Sequence, residues 1–239
     1  MAKSSTPNLH QFSLSTPPVP AERHTNPDGS LGGWVAATAY AEPTVIIGEN
    51  AKLLDYATAR GTVILTGNAI AQGGARLLDS ALLAQNAIAQ DDTIVEGNAI
   101  LTENAVARGS TILTGGAWVG GSAETNGCVV IGGSASLGGQ ARVFDDAHIL
   151  SPNDTLWIDS IGSGQAVTFF RTENDTIAVS AGCIDFLSVA EMLNYARNTP
   201  EEWTKQEEAP KKMIGWLAQI EALAQLAVVR FNLDPKVLK

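Results

Sequence analysis

Residues 39 to 150 repeat with a period of six, and this period constrains the fold more than any other feature of the sequence. Every sixth residue from Ala41 to Ile149 is uncharged, and all but Thr125 are aliphatic. The position two residues earlier, from Ala39 to Ala147, holds only alanine, valine or threonine. Because residues two apart point to the same side of an extended strand, the two columns form one inward face. The period therefore predicts a solenoid of short parallel strands around a continuous core.

Each hexad also carries the residue types of a tight corner. Two residues after each position of the column that runs from Ala41 to Ile149, most hexads have a glycine or an aspartate. Asparagine or serine often follows that residue. These residues adopt a positive φ or bond their own backbone more readily than others. The corner residues include Gly61, Gly67, Gly73, Gly97, Gly109, Gly115, Gly121, Gly127, Gly133 and Gly139, with Asp55, Asp79, Asp91 and Asp145.

Hexads such as Leu113-Thr-Gly-Gly-Ala-Trp118 and Ile131-Gly-Gly-Ser-Ala-Ser136 resemble the hexapeptide repeat of the acyltransferase superfamily. The resemblance implies an all-β solenoid, a left-handed parallel β-helix with three hexads per coil. Leu31-Gly-Gly-Trp-Val35, together with Val167-Thr-Phe-Phe-Arg171 and Gly182-Cys183, resembles more narrowly a group of bacterial and phage-associated hexapeptide proteins, some of them named as acetyltransferases. At eighteen residues per coil, the repeats predict about six coils.

The repeat ends at Ser151-Pro152, and a small appendage of strands and helices is expected after it. Strand-forming runs occupy Thr155–Ile161, Ala166–Arg171 and Thr176–Val179, and helical spacing of apolar residues occupies Phe186–Ala196 and Met213–Phe231. A charged stretch, Pro200 to Lys212, separates the two helices. The helices either cap the solenoid or dock onto another subunit or a partner. The predicted organisation is an N-terminal leader or cap at 1–30, the β-helix at 31–150, a β-rich closing segment at 151–181 and a helical appendage at 182–239.

A net charge of −10 argues against a nucleic-acid partner, since binding phosphates requires a basic surface. No segment has the apolar length of a membrane helix, and the N-terminus lacks the apolar core of a signal peptide. Cys128 and Cys183 are too few for a disulfide framework. These features predict a cytoplasmic protein without a membrane anchor.

The hexapeptide enzymes that the sequence resembles generally use a histidine as catalytic base. His148 is the single candidate inside the repeats, because His10 and His24 lie in the leader. The loop that usually interrupts the hexads in those enzymes is absent from Ala39 to Leu150. One histidine does not make the three-histidine zinc site of the carbonic anhydrases with this fold, so no metal is expected. The pairs Asp91-Asp92 and Asp145-Asp146 fit either calcium binding or ordinary solvated corners.

Outward residues eighteen apart should stack on the faces of the prism. The first face carries Ile46, Ile64, Leu82, Ile100 and Trp118, with Gly48, Thr66, Ala84, Thr102 and Gly120 beside them. The second face carries Lys52, Ile70, Ile88, Val106, Glu124 and Arg142, with Gln72, Gln90 and Arg108. The third face carries Arg60, Arg76, Ile94, Glu96, Ile112 and Val130.

Because the first face alone is apolar and free of charge, it is the predicted interface of a homo-oligomer. By the resemblance a trimer is expected, with a dimer as the alternative. In a second possibility the C-terminal helices cover this face within one chain.

The function that follows is a noncatalytic oligomeric scaffold or interaction protein without a cofactor, whose partners are copies of itself and possibly another protein. The alternative is an acyltransferase that uses acetyl-coenzyme A at a site between subunits. A third hypothesis is an acidic mimic of nucleic acid, which has the net charge but lacks ordered rows of carboxylates.

Overall fold

The computed structural model describes residues 9–12, 17–161, 164–182, 184–198 and 209–238, with backbone alone for 209–214. It shows a parallel β-solenoid of about six turns with an antiparallel sheet and two helices at its C-terminal end. The prediction of a parallel β-helix with a strand and helix appendage is therefore confirmed. The left-handed winding stays an expectation from the resemblance.

The solenoid is built from very short strands joined by tight corners. Strand β3 (Leu31–Ala36) enters the first coil. The strands that follow, β4 to β22, are Tyr40–Ala41, Ile46–Ile47, Lys52–Leu53, Thr58–Ala59, Ile64–Leu65, Ile70–Ala71, Arg76–Leu77, Leu82–Leu83, Ile88–Ala89, Ile94–Val95, Ile100–Leu101, Val106–Ala107, Ile112–Leu113, Trp118–Val119, Glu124–Asn126, Val130–Ile131, Ser136–Leu137, Arg142–Phe144 and His148–Ile149.

Every third strand joins the same parallel sheet, so three sheets form the walls. The first face is the sheet from β5 to β20, the second runs from β3 to β21, and the third runs from β4 to β22. Paired residues are eighteen apart, as in Leu83 with Leu101 and Ala89 with Ala107. Both inward columns are buried from Val45 to Ile149, and they form one hydrophobic core.

The corners have the backbone conformation that their residue types predict. From Asp55 to Asp145, a residue with positive φ recurs at every sixth position. Gln85 and Glu103, which the sequence does not mark as corner residues, also have a φ near 60°. Several corner carboxylates bond the next coil: Asp79 accepts the Gly97 N–H at 3.0 Å, and Glu103 accepts the Gly121 N–H. Part of the acidity of the chain therefore satisfies backbone donors at the corners.

An antiparallel hairpin begins the fold. Strand β2 (Val19–Thr25) pairs with β3, and β1 (Leu9–His10) pairs with β2. A Cβ added to Gly33 would lie 2.1 Å from the Ala51 carbonyl oxygen, so the glycines of Leu31–Val35 allow β3 to approach the next strands closely. The side chain of Asn26 accepts the Ile47 N–H at 2.9 Å, which satisfies a donor at the edge of the first coil.

A sheet of four antiparallel strands closes the other end: β23 (Thr155–Ile161), β24 (Gln165–Arg171), β25 (Ile177–Ala181) and β26 (Ile184–Phe186). Neighbouring residues of β24 face opposite sides, as expected for a strand. Phe170 belongs to the solenoid core and meets Phe144 edge to face at 5.0 Å, while Phe169 belongs to a second core. This sheet and the two helices behind it are called the cap below.

The second core lies between this sheet and two helices, α1 (Val189–Asn198) and α2 (Ala209–Phe231). Residues 200–208 of the predicted charged stretch lie outside the described residues, and residues 209–212 belong to α2. Only some of the apolar residues in the predicted helix Met213–Phe231 are buried. Trp216, Ile220 and Phe231 are buried, whereas Leu226 and Val229 are 50% and 77% exposed. A short 3-10 helix, Pro235–Leu238, follows.

Candidate functional site

The first face is an uninterrupted ladder of apolar side chains. Parallel pairing places Ile46 beside Ile64, Ile64 beside Leu82, Leu82 beside Ile100, and Ile100 beside Trp118. Ile46 and Ile64 are 42% and 39% exposed, although each is a large hydrophobic residue. Leu82, Ile100 and Trp118, further along the ladder, are half-buried. The residues predicted to share one face do share it.

The companion column keeps this face flat. Gly48, Thr66, Ala84, Thr102 and Gly120 lie two residues after the ladder and add no charge to it. A Cβ on Gly120 would meet the Trp118 indole at 2.2 Å, and one on Gly138 would meet it at 3.1 Å. The indole therefore lies across two glycines. Trp157 of β23 also approaches Gly138, so the cap borders this end of the face.

Within the chain, the C-terminal helices pack elsewhere. The buried residues of α2 belong to the second core, together with Phe169 of β24 and Val179 of β25. The exposure of Ile46 and Ile64 shows that the N-terminal part of the first face is open in the single chain. This arrangement does not match the possibility that the helices cover the first face.

Charged residues divide the other two faces. On the second face, Glu124 lies 3.5 Å from Arg108 and 3.7 Å from Arg142, and Arg142 also reaches Asp185 of the cap at 3.5 Å. On the third face, the guanidinium of Arg60 lies 5.5 Å from the ring centre of Tyr40. Ile112 of the third face has the same outward, half-buried position as Ile100 of the first.

His148 is half-buried in the last strand of the third face, where it pairs with Val130. In the part of the chain that the structure describes, no hydrogen bond or ion pair of its side chain orients the imidazole. A general base normally has such an orienting partner, although catalytic contacts can tighten only with substrate. Its role as a base stays a prediction.

The acidic pairs have ordinary corner geometry. The carboxylate of Asp91 accepts the Gly109 N–H at 3.0 Å, and the backbone carbonyl of Asp146 accepts the Glu173 N–H at 2.9 Å. Among the described residues, no group of three or more histidine, cysteine, aspartate or glutamate side chains is placed to hold a metal ion.

A cavity that the sequence does not predict opens at the N-terminal end of the second face, with a volume of about 420 Å³. It is lined by His10, Arg23, Trp34, Glu49, Asn50, Lys52, Asn68 and Ile70. Trp34 pairs with Arg23 on one side and with Lys52 on the other. Extending the outward column of Lys52 one coil back would have identified Trp34, but the hairpin that adds Arg23 has no repeat to reveal it.

A search against protein-family models found no matching family, and a search among curated proteins found no match. The likeness to the hexapeptide superfamily therefore remains a resemblance carried by the repeats. No helix in the described part of the chain is long and apolar enough to cross a membrane. The fold and the first face define a capped parallel β-solenoid with one open apolar face.

Proposed function

We propose that the chain is a noncatalytic, cytoplasmic scaffold of the hexapeptide-repeat type that assembles with copies of itself through the first face. The observation that carries the proposal is the ladder of side chains from Ile46 to Trp118. The ladder is apolar over five neighbouring strands of one sheet, and it is open to solvent at Ile46 and Ile64. Soluble monomers rarely leave a continuous apolar surface of this kind in water.

Charge favours a second copy as the occupant. Each chain carries a net charge of −10, so two copies repel one another, and the repulsion is smaller where the surfaces in contact carry no charged group. The outward columns of the first face contain no charged residue, whereas the other faces carry Glu124 or Arg76 among others. The first face therefore allows two acidic chains to meet with the least repulsion.

The repeat itself supports self-association. A second copy presents aliphatic side chains at the same strand spacing, about 4.8 Å, so its ridges can fit between those of the first copy. The resemblance favours a trimer, and a dimer is the alternative. A rigid prism of this kind would then present its remaining faces and caps to a protein partner.

The test introduces one charge at the centre of the proposed interface. Ile100→Arg places an unpaired guanidinium there, at a cost of several kcal/mol for each copy of the interface. We expect light scattering to show a lower mass than for the wild type. Ile112→Arg is the matched control, because it makes the same change at the same outward position of the third face. An Ile100→Arg variant that folds and keeps the wild-type mass would refute the proposal.

The alternative, acyl transfer from acetyl-coenzyme A, makes a different prediction. Calorimetry with acetyl-coenzyme A should show no saturable binding if the scaffold proposal holds. Tight stoichiometric binding would favour the enzyme. Loss of a measured transferase activity in His148→Ala would then assign the base.

A further inference from the structure

The cavity at the N-terminal end of the second face concentrates cationic groups in an acidic chain. Arg23 and Lys52 both line it, on either side of Trp34. Arg108 and Arg142 of the same face lie beside Glu124. By contrast, no described carboxylate lies within ion-pair distance of Arg23 or Lys52. The lining thus carries two cations and one carboxylate, that of Glu49, and this excess of positive charge attracts an anion.

The guanidinium of Arg23 is held in place before any ligand arrives. Arg23 donates its Nε hydrogen to the Gly32 carbonyl oxygen, and its guanidinium carbon lies 5.5 Å from the ring centre of Trp34. The imidazole of His10 stacks on the same indole, with ring centres 3.8 Å apart and planes inclined by 17°. Preorganised donors of this kind lower the entropic cost of binding.

The remaining wall combines hydroxyl-binding groups with an apolar surface. Asn68 donates its amide N–H to Asn86 Oδ1 at 2.9 Å, which leaves its own amide oxygen as an acceptor. Glu49 and Asn50 add further acceptors, and Ile70 adds an apolar contact. The volume of about 420 Å³ falls in the range of small-molecule sites. The acceptors and the carboxylate favour a ligand that brings hydroxyl donors as well as an anionic group.

We infer that this cavity binds a small hydroxylated anion, with its phosphate or carboxylate group at Arg23 and Lys52 and its hydroxyl groups at Glu49, Asn50 and Asn68. The inference is independent of the proposed self-association, because the cavity lies on the second face.

The experiment compares three probes of similar size in calorimetric titrations of the full chain: glucose, glucuronate and glucose 6-phosphate. The indole N–H resonance of Trp34 serves as a local reporter. We expect at least one anionic probe to bind saturably, to shift that resonance, and to bind about tenfold more tightly than glucose, since a charge-assisted hydrogen bond distinguishes them. Preference for glucuronate or for the phosphate would identify the anionic group.

Lys52→Gln should weaken binding of that probe by about tenfold, because it removes one charge while preserving most of the side-chain volume. Arg76→Gln is the control: it removes one positive charge from the exposed third face and should leave the affinity unchanged. The melting temperature of each variant checks that it folds. Arg23→Gln removes the other cation of the cavity and is a second variant for the same measurement. The inference fails if neither anion binds saturably, if glucose binds equally well, or if Lys52→Gln and Arg76→Gln change the affinity by the same amount.

Discussion

The solenoid and the cap both bury a hydrophobic core, but they build it from contacts of different range. In the solenoid, a buried residue such as Leu101 pairs with residues eighteen positions away on either side. In the cap, Arg171 donates to the carbonyl oxygen of Phe231, sixty residues later in the chain. Periodic contacts can be counted along a sequence. The contacts of the cap depend instead on how its strands and helices pack together.

The two regions also differ in what they bury. The solenoid core uses single aliphatic residues in fixed columns, and each strand buries one side. Strand β25 is buried on both sides, because the solenoid covers one side and the helices cover the other. Damage to one column should therefore affect the whole prism, whereas damage at the junction should separate the two regions.

The largest expected effect is at the centre of the solenoid core. Leu101→Asp buries a carboxylate without a partner, and we expect the fold to be lost, at a cost of several kcal/mol. Thermal melting followed by circular dichroism measures this loss. Ser110→Asp, at an exposed corner, is the control and should melt like the wild type. A melting temperature for Leu101→Asp within a few degrees of the wild type would contradict the assignment of the inward column.

A smaller effect is expected at the junction. Phe170→Ala removes the ring that meets Phe144 and leaves a cavity between cap and solenoid, at a cost of about 3–5 kcal/mol. Hydrogen exchange should show faster opening of β21, β22 and the cap, with protection retained near Leu83. Equal loss of protection throughout would show that the two regions unfold as one unit.

The smallest effect is expected at a corner. A change to lysine at an exposed position such as Glu103 is ordinarily nearly silent, but the Glu103 carboxylate accepts the Gly121 N–H. We therefore expect a loss of about 1 kcal/mol, limited because the site is exposed and water can replace the bond. Glu22→Lys, an exposed carboxylate of β2, is the control. Chemical denaturation that gives the same stability for both variants would show that the corner carboxylate contributes nothing.

These differences explain how much the sequence could predict. The buried columns, the corners and the first face all follow from the period of six. The predicted strand Thr155–Ile161 coincides with β23, and the predicted strand Ala166–Arg171 falls within β24. The spacing of apolar residues in Met213–Phe231 predicts a helix but not its buried face. Trp216, Ala224 and Val228 are buried whereas Leu226 and Val229 are exposed, and only tertiary packing decides between them. The cavity was missed because it needs a hairpin as well as the repeat.

The mass of the wild-type protein in solution tests the central claim most directly. One chain has a mass of 25.0 kDa, so three chains give about 75 kDa and two give about 50 kDa. We expect light scattering at micromolar concentration to give one of these two masses, with the trimer favoured by the resemblance. A mass near 25 kDa that does not rise with concentration would contradict the claim that the first face joins copies of the chain.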